Sequence, residues 1–287
     1  MNPNEAVLLF VDEYSRMSEA YEAHVVPRFR PFTERLIERA GLTPNTTVLD
    51  VSTGTGQCAL LAAKTVGGTG LVVGIDLADG ALAVAQTNAA RSGLRNLRFE
   101  MLDSRNIVYR QQTFDRVLTS FGIPAIGHPQ VLQEVYRVMK DGASFHAVEW
   151  APPDAPSGWE AWDEVLAAHR TTTPSATLRG LREAAEMVRE TGDYLAIRDA
   201  EALGAAMRSA GFRDVRAERV TVPVDFASIE ELLAFRSSWG STERELAEME
   251  AARRDGFRRH LAGRLEEYRH GNGYRFHWSV VYYDATR

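Results

Sequence analysis

Three acids stand early in the chain, each where an apolar run stops: Asp50 in VLDVSTGTGQ (48–57), Asp76 in VVGIDL (72–77) and Asp103 in LRFEMLDS (97–104). Behind Asp50 comes a turn of small residues, Ser52 to Gly56. Gly54 and Gly56 let backbone approach a ligand closely, and a helix starting at such a turn offers free N–H groups to an anion. A dinucleotide turn would need a third glycine, yet Ala59 falls at that spacing and Ser52 stands where a first glycine is common. Asp50 would repel a pyrophosphate, whereas it favours an ammonium. The turn therefore suits a phosphate-free ligand, a nucleoside joined to an amino acid. An acid in the position of Asp76 accepts hydrogen bonds from both ribose hydroxyls. Asp103 with Ser104 could take an adenine amino proton. Three acids at three successive strand ends are more specific than any one of them.

Other reactive side chains are weaker signals. His128 follows the fourth apolar run and is a candidate general base, but HPQVLQE also reads as a helix start with Pro129 in its first turn. His24 and Tyr21 are further candidates for moving a proton. Cys58 reads as a small core residue, and His146 as structural. The arginines at 253, 254, 258, 259 and 264 read as a solvated helix face paired with Glu243, Glu245, Glu248 and Glu250. Trp150, Trp159, Trp162 and Trp239 read equally well as the lining of an apolar pocket or as simple packing.

At 287 residues and 45% apolar, the chain can bury a large core. Its net charge of −6 is mild and argues against a nucleic-acid surface. One cysteine excludes an internal disulfide and a cysteine-based zinc site, and no metal site is expected. The apolar run Val7 to Val11 is too short, and too closely followed by Asp12 and Glu13, for a signal peptide or a membrane span. The expectation is a soluble, cytoplasmic protein.

Positioning three acids at strand ends requires a parallel sheet. The pattern predicts strands at 47–51, 71–77, 97–102, 114–121 and 144–150, with helices at 56–66, 78–93 and 129–142 between them. That alternation implies helices on both faces of the sheet. Val131, Leu132, Val135, Val138 and Met139 recur along one helix face. APPDAPSG (151–158) breaks the pattern. Helices are then expected at 176–190, 200–212 and through most of 227–270, with strands at 215–226 and 274–285.

The run from Val48 to Trp150 resembles the class I S-adenosylmethionine-dependent methyltransferases of small molecules. VLDVSTGTG, VVGIDL, LRFEMLDS, FDRVLTSFGI and LQEVYRVMKDG carry the likeness, which is strongest to the ubiquinone and menaquinone biosynthesis group. The resemblance implies an α/β, doubly wound, Rossmann-like and mostly parallel seven-stranded sheet, with an antiparallel last strand and a helical cap. It implies N-terminal helices over the cofactor (1–46), a cofactor-binding core (47–150), and cap segments with the last two strands (151–287). S-adenosylmethionine is the implied cofactor. Ser52, Thr53 and Gly54 would line its amino-acid end near Asp50, Gly56 would allow close approach, and Gln57 would start the helix. Asp76 would hold the ribose, Leu77 would flank the adenine, and Asp103 and Ser104 would meet its amino edge. Thr119, Ser120 and Phe121 would face the methionine portion and the substrate, and Tyr14, Met17 and Tyr21 would cover the cofactor. The implied reaction is methyl transfer to an O, N or C atom of a small, largely apolar acceptor. The alternative is a cyclase or a non-methylating binding protein that keeps the cofactor on the same fold. The expected partner is a small molecule, with no nucleic acid, and a homodimer is compatible with the sequence.

Overall fold

The computed structural model describes residues 2–122, 129–152, 157–190 and 199–287. His128 lies outside them. The chain divides into two compact units. The sheet unit comprises Val26–Pro152, Arg189–Val220 and Val280–Arg287; the helical unit comprises Met1–Val25, Pro153–Val188 and Thr221–Ser279.

In the sheet unit, β1 (Thr47–Val51), β2 (Leu71–Asp76), β3 (Leu97–Met101), β4 (Phe114–Ser120) and β5 (Met139–Trp150) form the parallel part of the sheet. β8 (Gly273–Thr286) runs antiparallel to β5, with Ser144 opposite Thr286 and Trp150 opposite Val280. The full order is β3-β2-β1-β4-β5-β8-β6, with β6 spanning Arg213–Phe226. These are the seven strands expected; the two-residue β7 (Arg269–His270) pairs with β8 off the main path. The chain moves outward through β2 and β3, then returns to the other side of β1 as β4. Ligands of open α/β sheets bind at such a reversal, beyond the carboxyl ends of the strands.

β1 and β2 are almost wholly buried apolar runs, as strands covered on both faces must be. α2 (Val26–Ala40) packs on α3 (Gln57–Val66) and on β4 and β5, while α3 also meets α4 (Asp79–Arg91). α5 (Pro129–Val138) and α8 (Ala200–Ser209) pack together, and Val131, Leu132, Val135, Val138, Leu203 and Met207 join the core with Val117, Phe145 and Tyr283.

Two boundaries differ from the sequence expectation. The helix expected over 129–142 ends at Val138, because Met139 already pairs with Phe114 on β4. The register then shifts before Ser144 pairs with Arg116, so residues 140–143 bulge between two ladder positions. The helical stretch expected over 227–270 is broken into α9 (Ile229–Arg236), α10 (Thr242–Ala247) and α11 (Ala251–Arg264). Gly240, at φ 66°, separates the first two.

The helical unit holds α1 (Pro3–His24), α6 (Trp159–His169), α7 (Ala176–Glu190) and α9 to α11. An Asn2/Glu5 capping box starts α1, and the Ser228 side chain caps α9. Inside the unit, the fully buried Glu245 is gripped by Arg182 (2.6 Å) and Arg170 (3.2 Å). Glu245 is therefore not a partner of the α11 arginines; Arg264 pairs instead with Glu164 and Glu267, and Arg258 with Glu230.

Candidate active site

Asp50, next to last in β1, has no exposed surface. Its Oδ2 accepts the Thr53 hydroxyl at 2.6 Å, and the Cys58 thiol and the Ala59 N–H lie against the carboxylate. Burial pushes the carboxyl up to about 7; Thr53, Cys58 and the Ala59 N–H oppose the shift, and the neighbouring Asp76 charge adds to it. Burial likewise raises the Cys58 thiol well above its usual range, consistent with a core residue.

Asp76 lies across the turn. Its Oδ2 accepts the Gly54 N–H at 2.8 Å and its Oδ1 accepts the Ala78 N–H at 2.9 Å. Burial raises its pKa too, against the pull of these backbone donors. Each carboxylate oxygen still has a lone pair available for a further donor. Two acids with raised pKa values thus flank a single turn, and the charge of Asp76 disfavours ionisation of Asp50.

The turn itself is tight. Ser52 sits at φ 57° and Gly54 at 55°, so Ser52 adopts the left-handed backbone that usually selects glycine. Gly56, at φ 88°, is also required by packing. A Cβ there would lie 2.9 Å from Ala85 Cβ on α4 and 2.9 Å from Phe99 on β3. Gln57 starts α3 and spends both ends of its amide on protein, accepting from Thr33 (3.0 Å) and donating to the Val26 carbonyl (3.0 Å). Thr33 also bonds Ser120 at 2.9 Å, so α2, α3 and the end of β4 are tied together.

At the third strand end, the Asp103 carboxylate is held by its own loop. It accepts the Arg105 N–H at 2.8 Å and pairs with the Arg105 guanidinium at 2.7 Å. Ser104 is in the same loop, and Leu77 follows Asp76 half-buried. Thr119 is fully buried with an unbonded hydroxyl. Phe121 follows at φ 56°. A Cβ on Gly122 would lie 2.3 Å from the Thr119 Oγ1 and 3.1 Å from Ser52 Cβ, so the β4 end meets the turn without an intervening side chain.

Sequence reasoning missed what surrounds Phe121. Phe29 and Phe32 of α2 and Trp150 of β5 pack on it, with ring centroids 4.6, 5.7 and 4.8 Å away. Together they form an aromatic wall at the carboxyl ends of β4 and β5. Glu149 was also missed: it is fully buried, and burial raises its pKa well above the usual value against the pull of the Gly122 N–H. An acid inside the apolar run of HAVEW was the available signal.

Tyr14, Met17, Tyr21 and His24 lie on α1, in the helical unit. Met17 is buried, Tyr14 stacks edge-on against Tyr21 at 4.9 Å, and His24 is exposed. His146, read as structural, bridges Asp284 (2.7 Å) and Ser144 (2.8 Å).

A model of the ubiE/COQ5 methyltransferase family matches residues 10–228. The chain belongs to that family. Among curated relatives, the demethylmenaquinone methyltransferase of Listeria monocytogenes is 28% identical over 148 residues, covering 51% of this chain and 61% of the relative. The ubiquinone/menaquinone biosynthesis C-methyltransferase UbiE of Hydrogenovibrio crunogenus is 31% identical over 136 residues, covering 47% and 54%. The chain thus spans little more than half the length of these relatives. In fold it is similar to the phosphoethanolamine N-methyltransferase 2 of Haemonchus contortus solved in complex with S-adenosyl-L-methionine. The TM-score is 0.51 at 18% identity, over 90% of this chain and 52% of that one. Among the described residues, no helix is long and apolar enough to cross a membrane.

Proposed function

We propose that the sheet unit binds S-adenosylmethionine beyond β1, β2 and β3, and that the chain transfers its methyl group to a small acceptor with a flat, apolar ring. One observation carries this reading: Asp50 and Asp76 flank the turn, both buried enough to raise their pKa values. Such a site favours a cationic ligand and disfavours a phosphate. The family match and the names of the relatives support the same reaction.

The bound cofactor would supply a methyl group on a positively charged sulfur, already activated for displacement. What remains for the chain is alignment and exclusion of water. Asp76, fixed by Gly54 and Ala78, would accept from the ribose hydroxyls with its remaining lone pairs. Leu77 would flank the adenine, with Asp103 and Ser104 at its amino edge. Asp50 would act from beneath Thr53 as a buried negative charge opposite the amino-acid end, lined by Ser52, Thr53 and Gly54. Thr119 and Ser120 would border the methionine portion, and the wall of Phe29, Phe121 and Trp150 would offer an apolar face to the acceptor. Gly56 and Gln57 hold the turn against α2, α4 and β3. Tyr14, Met17, Tyr21 and His24 belong to the helical unit, and their roles, like that of His128, rest on the likeness to the family alone.

Titration calorimetry of the purified chain with S-adenosylmethionine tests the cofactor assignment. Binding in the micromolar range that is abolished in Asp76→Ala is expected; normal binding by that variant would sink the ribose role. Formation of S-adenosylhomocysteine in step with product separates methyl transfer from a reaction that leaves the cofactor intact.

A further inference from the structure

In the helical unit, the Arg236 guanidinium lies over three indole rings, its Cζ 5.2 Å from the centroids of Trp159, Trp162 and Trp239 alike. No described residue makes a hydrogen bond to it. The carboxylate that comes within 4 Å is Asp163's, at 3.8 Å, beyond hydrogen-bonding range and 73% exposed. The Arg236 side chain is itself only 19% exposed. A guanidinium held this deep normally has an anion in bidentate contact, because an unpaired charge in an apolar setting is costly. Here the aromatic faces compensate in part, and burial lowers the Arg236 pKa to about 10.

The cluster also has more donors than acceptors. Arg236 Nε is buried without a partner, and so are the indole N–H groups of Trp162 and Trp239. Trp159 extends the apolar surroundings through Phe235, Phe276 and Trp278, at centroid distances of 5.9, 5.1 and 5.7 Å. A ligand matched to this place must accept hydrogen bonds only, carry a negative charge and bring an apolar body. An ionised carboxylate is acceptor-only and fits a guanidinium fork with two parallel bonds. A phosphate is more strongly hydrated and would lose more on entering aromatic surroundings.

We propose that Arg236, with Trp159, Trp162 and Trp239, forms a binding site for the carboxylate of a small aromatic acid. The site lies within the helical unit and does not depend on the methyl-transfer reading, because its occupancy is measured without cofactor.

The test uses the full chain with benzoate, benzamide and inorganic phosphate as probes, followed by titration calorimetry and by tryptophan emission excited at 295 nm, roughly the red edge of indole absorption, since three rings of the cluster face the cation. Saturable binding of benzoate is expected, with benzamide and phosphate weaker by about tenfold or more, since each lacks one of the matched features. Arg236→Gln should weaken benzoate by about tenfold or more. Arg236→Lys keeps the charge without the fork, and should fall between the two. Asp163→Asn changes an exposed competitor and leaves packing untouched; benzoate should bind about two- to fivefold more tightly. Benzamide or phosphate binding as well as benzoate would overturn the proposal. So would benzoate affinity unchanged in both Arg236→Lys and Asp163→Asn, or the absence of saturable benzoate binding to the unmodified chain.

Discussion

Cofactor affinity should depend on pH through Asp50. In the free protein its carboxyl titrates at about 7 instead of the ordinary 3.8, because it is buried under the turn beside Asp76. A cation at the turn stabilises the ionised form, so binding draws the carboxylate out of its protonated state and releases a proton. With the free-state value of about 7, the ionised fraction falls from about three quarters at pH 7.5 to about 3% at pH 5.5. The apparent Kd for S-adenosylmethionine should then rise about 25-fold over that interval, close to 2 kcal/mol. Titration calorimetry at several pH values reads the slope, and repetition in buffers of different ionisation enthalpy counts the released proton. Asp50→Asn keeps the acceptor for the Thr53 hydroxyl but cannot ionise, so most of the slope should vanish, leaving the contribution of Asp76. An undiminished slope in Asp50→Asn, or a flat profile in the unmodified chain, would refute the argument.

Stability measurements check four further points. Ser52→Gly should stabilise the chain by about 1 kcal/mol in denaturant unfolding, by relieving a left-handed backbone at φ 57°. Gly56→Ala should cost about 3 kcal/mol or more, since it combines φ 88° with contacts of 2.9 Å to Ala85 and Phe99; a loss below half that figure would show that the helix start yields easily. Glu149 is protonated in the folded chain across a pH range where the unfolded chain ionises, so its contribution is full below the ordinary 4.5 and is lost as pH rises. Glu149→Gln removes that loss, and its stability relative to the unmodified chain should therefore improve by about 1.4 kcal/mol per pH unit above 4.5, up to the folded-state pKa; a pH-independent difference would contradict the assignment. Glu245→Gln should destabilise the helical unit by about 3 kcal/mol, because Arg182 and Arg170 lose the buried charge that pairs them.

Much of this protein is legible in its sequence because local signals agree. Thr47–Val51 ends where a continuous apolar run meets small residues, and Ala176–Glu190 shows an apolar face at helical spacing; both boundaries match the structure. The spacing of Asp50, Asp76 and Asp103 places them at three strand ends by the same logic, since a parallel sheet turns sequence period into adjacency. What the sequence could not decide is where chemistry depends on partners distant along the chain. Gly56 is needed for Phe99 and Ala85, which reach it from β3 and α4. Met139 leaves its helix because Phe114 claims it as a strand partner. Asp103 is tied to Arg105, and Gln57 to Thr33 and Val26, so side chains that look available are already in use. Arg236 has no signal in sequence at all; only folding sets three indoles around it and leaves its charge without a close partner. Periodicity determines which face of an element is buried, while desolvation and long-range pairing, which exist only in the folded chain, determine what a buried polar group can do.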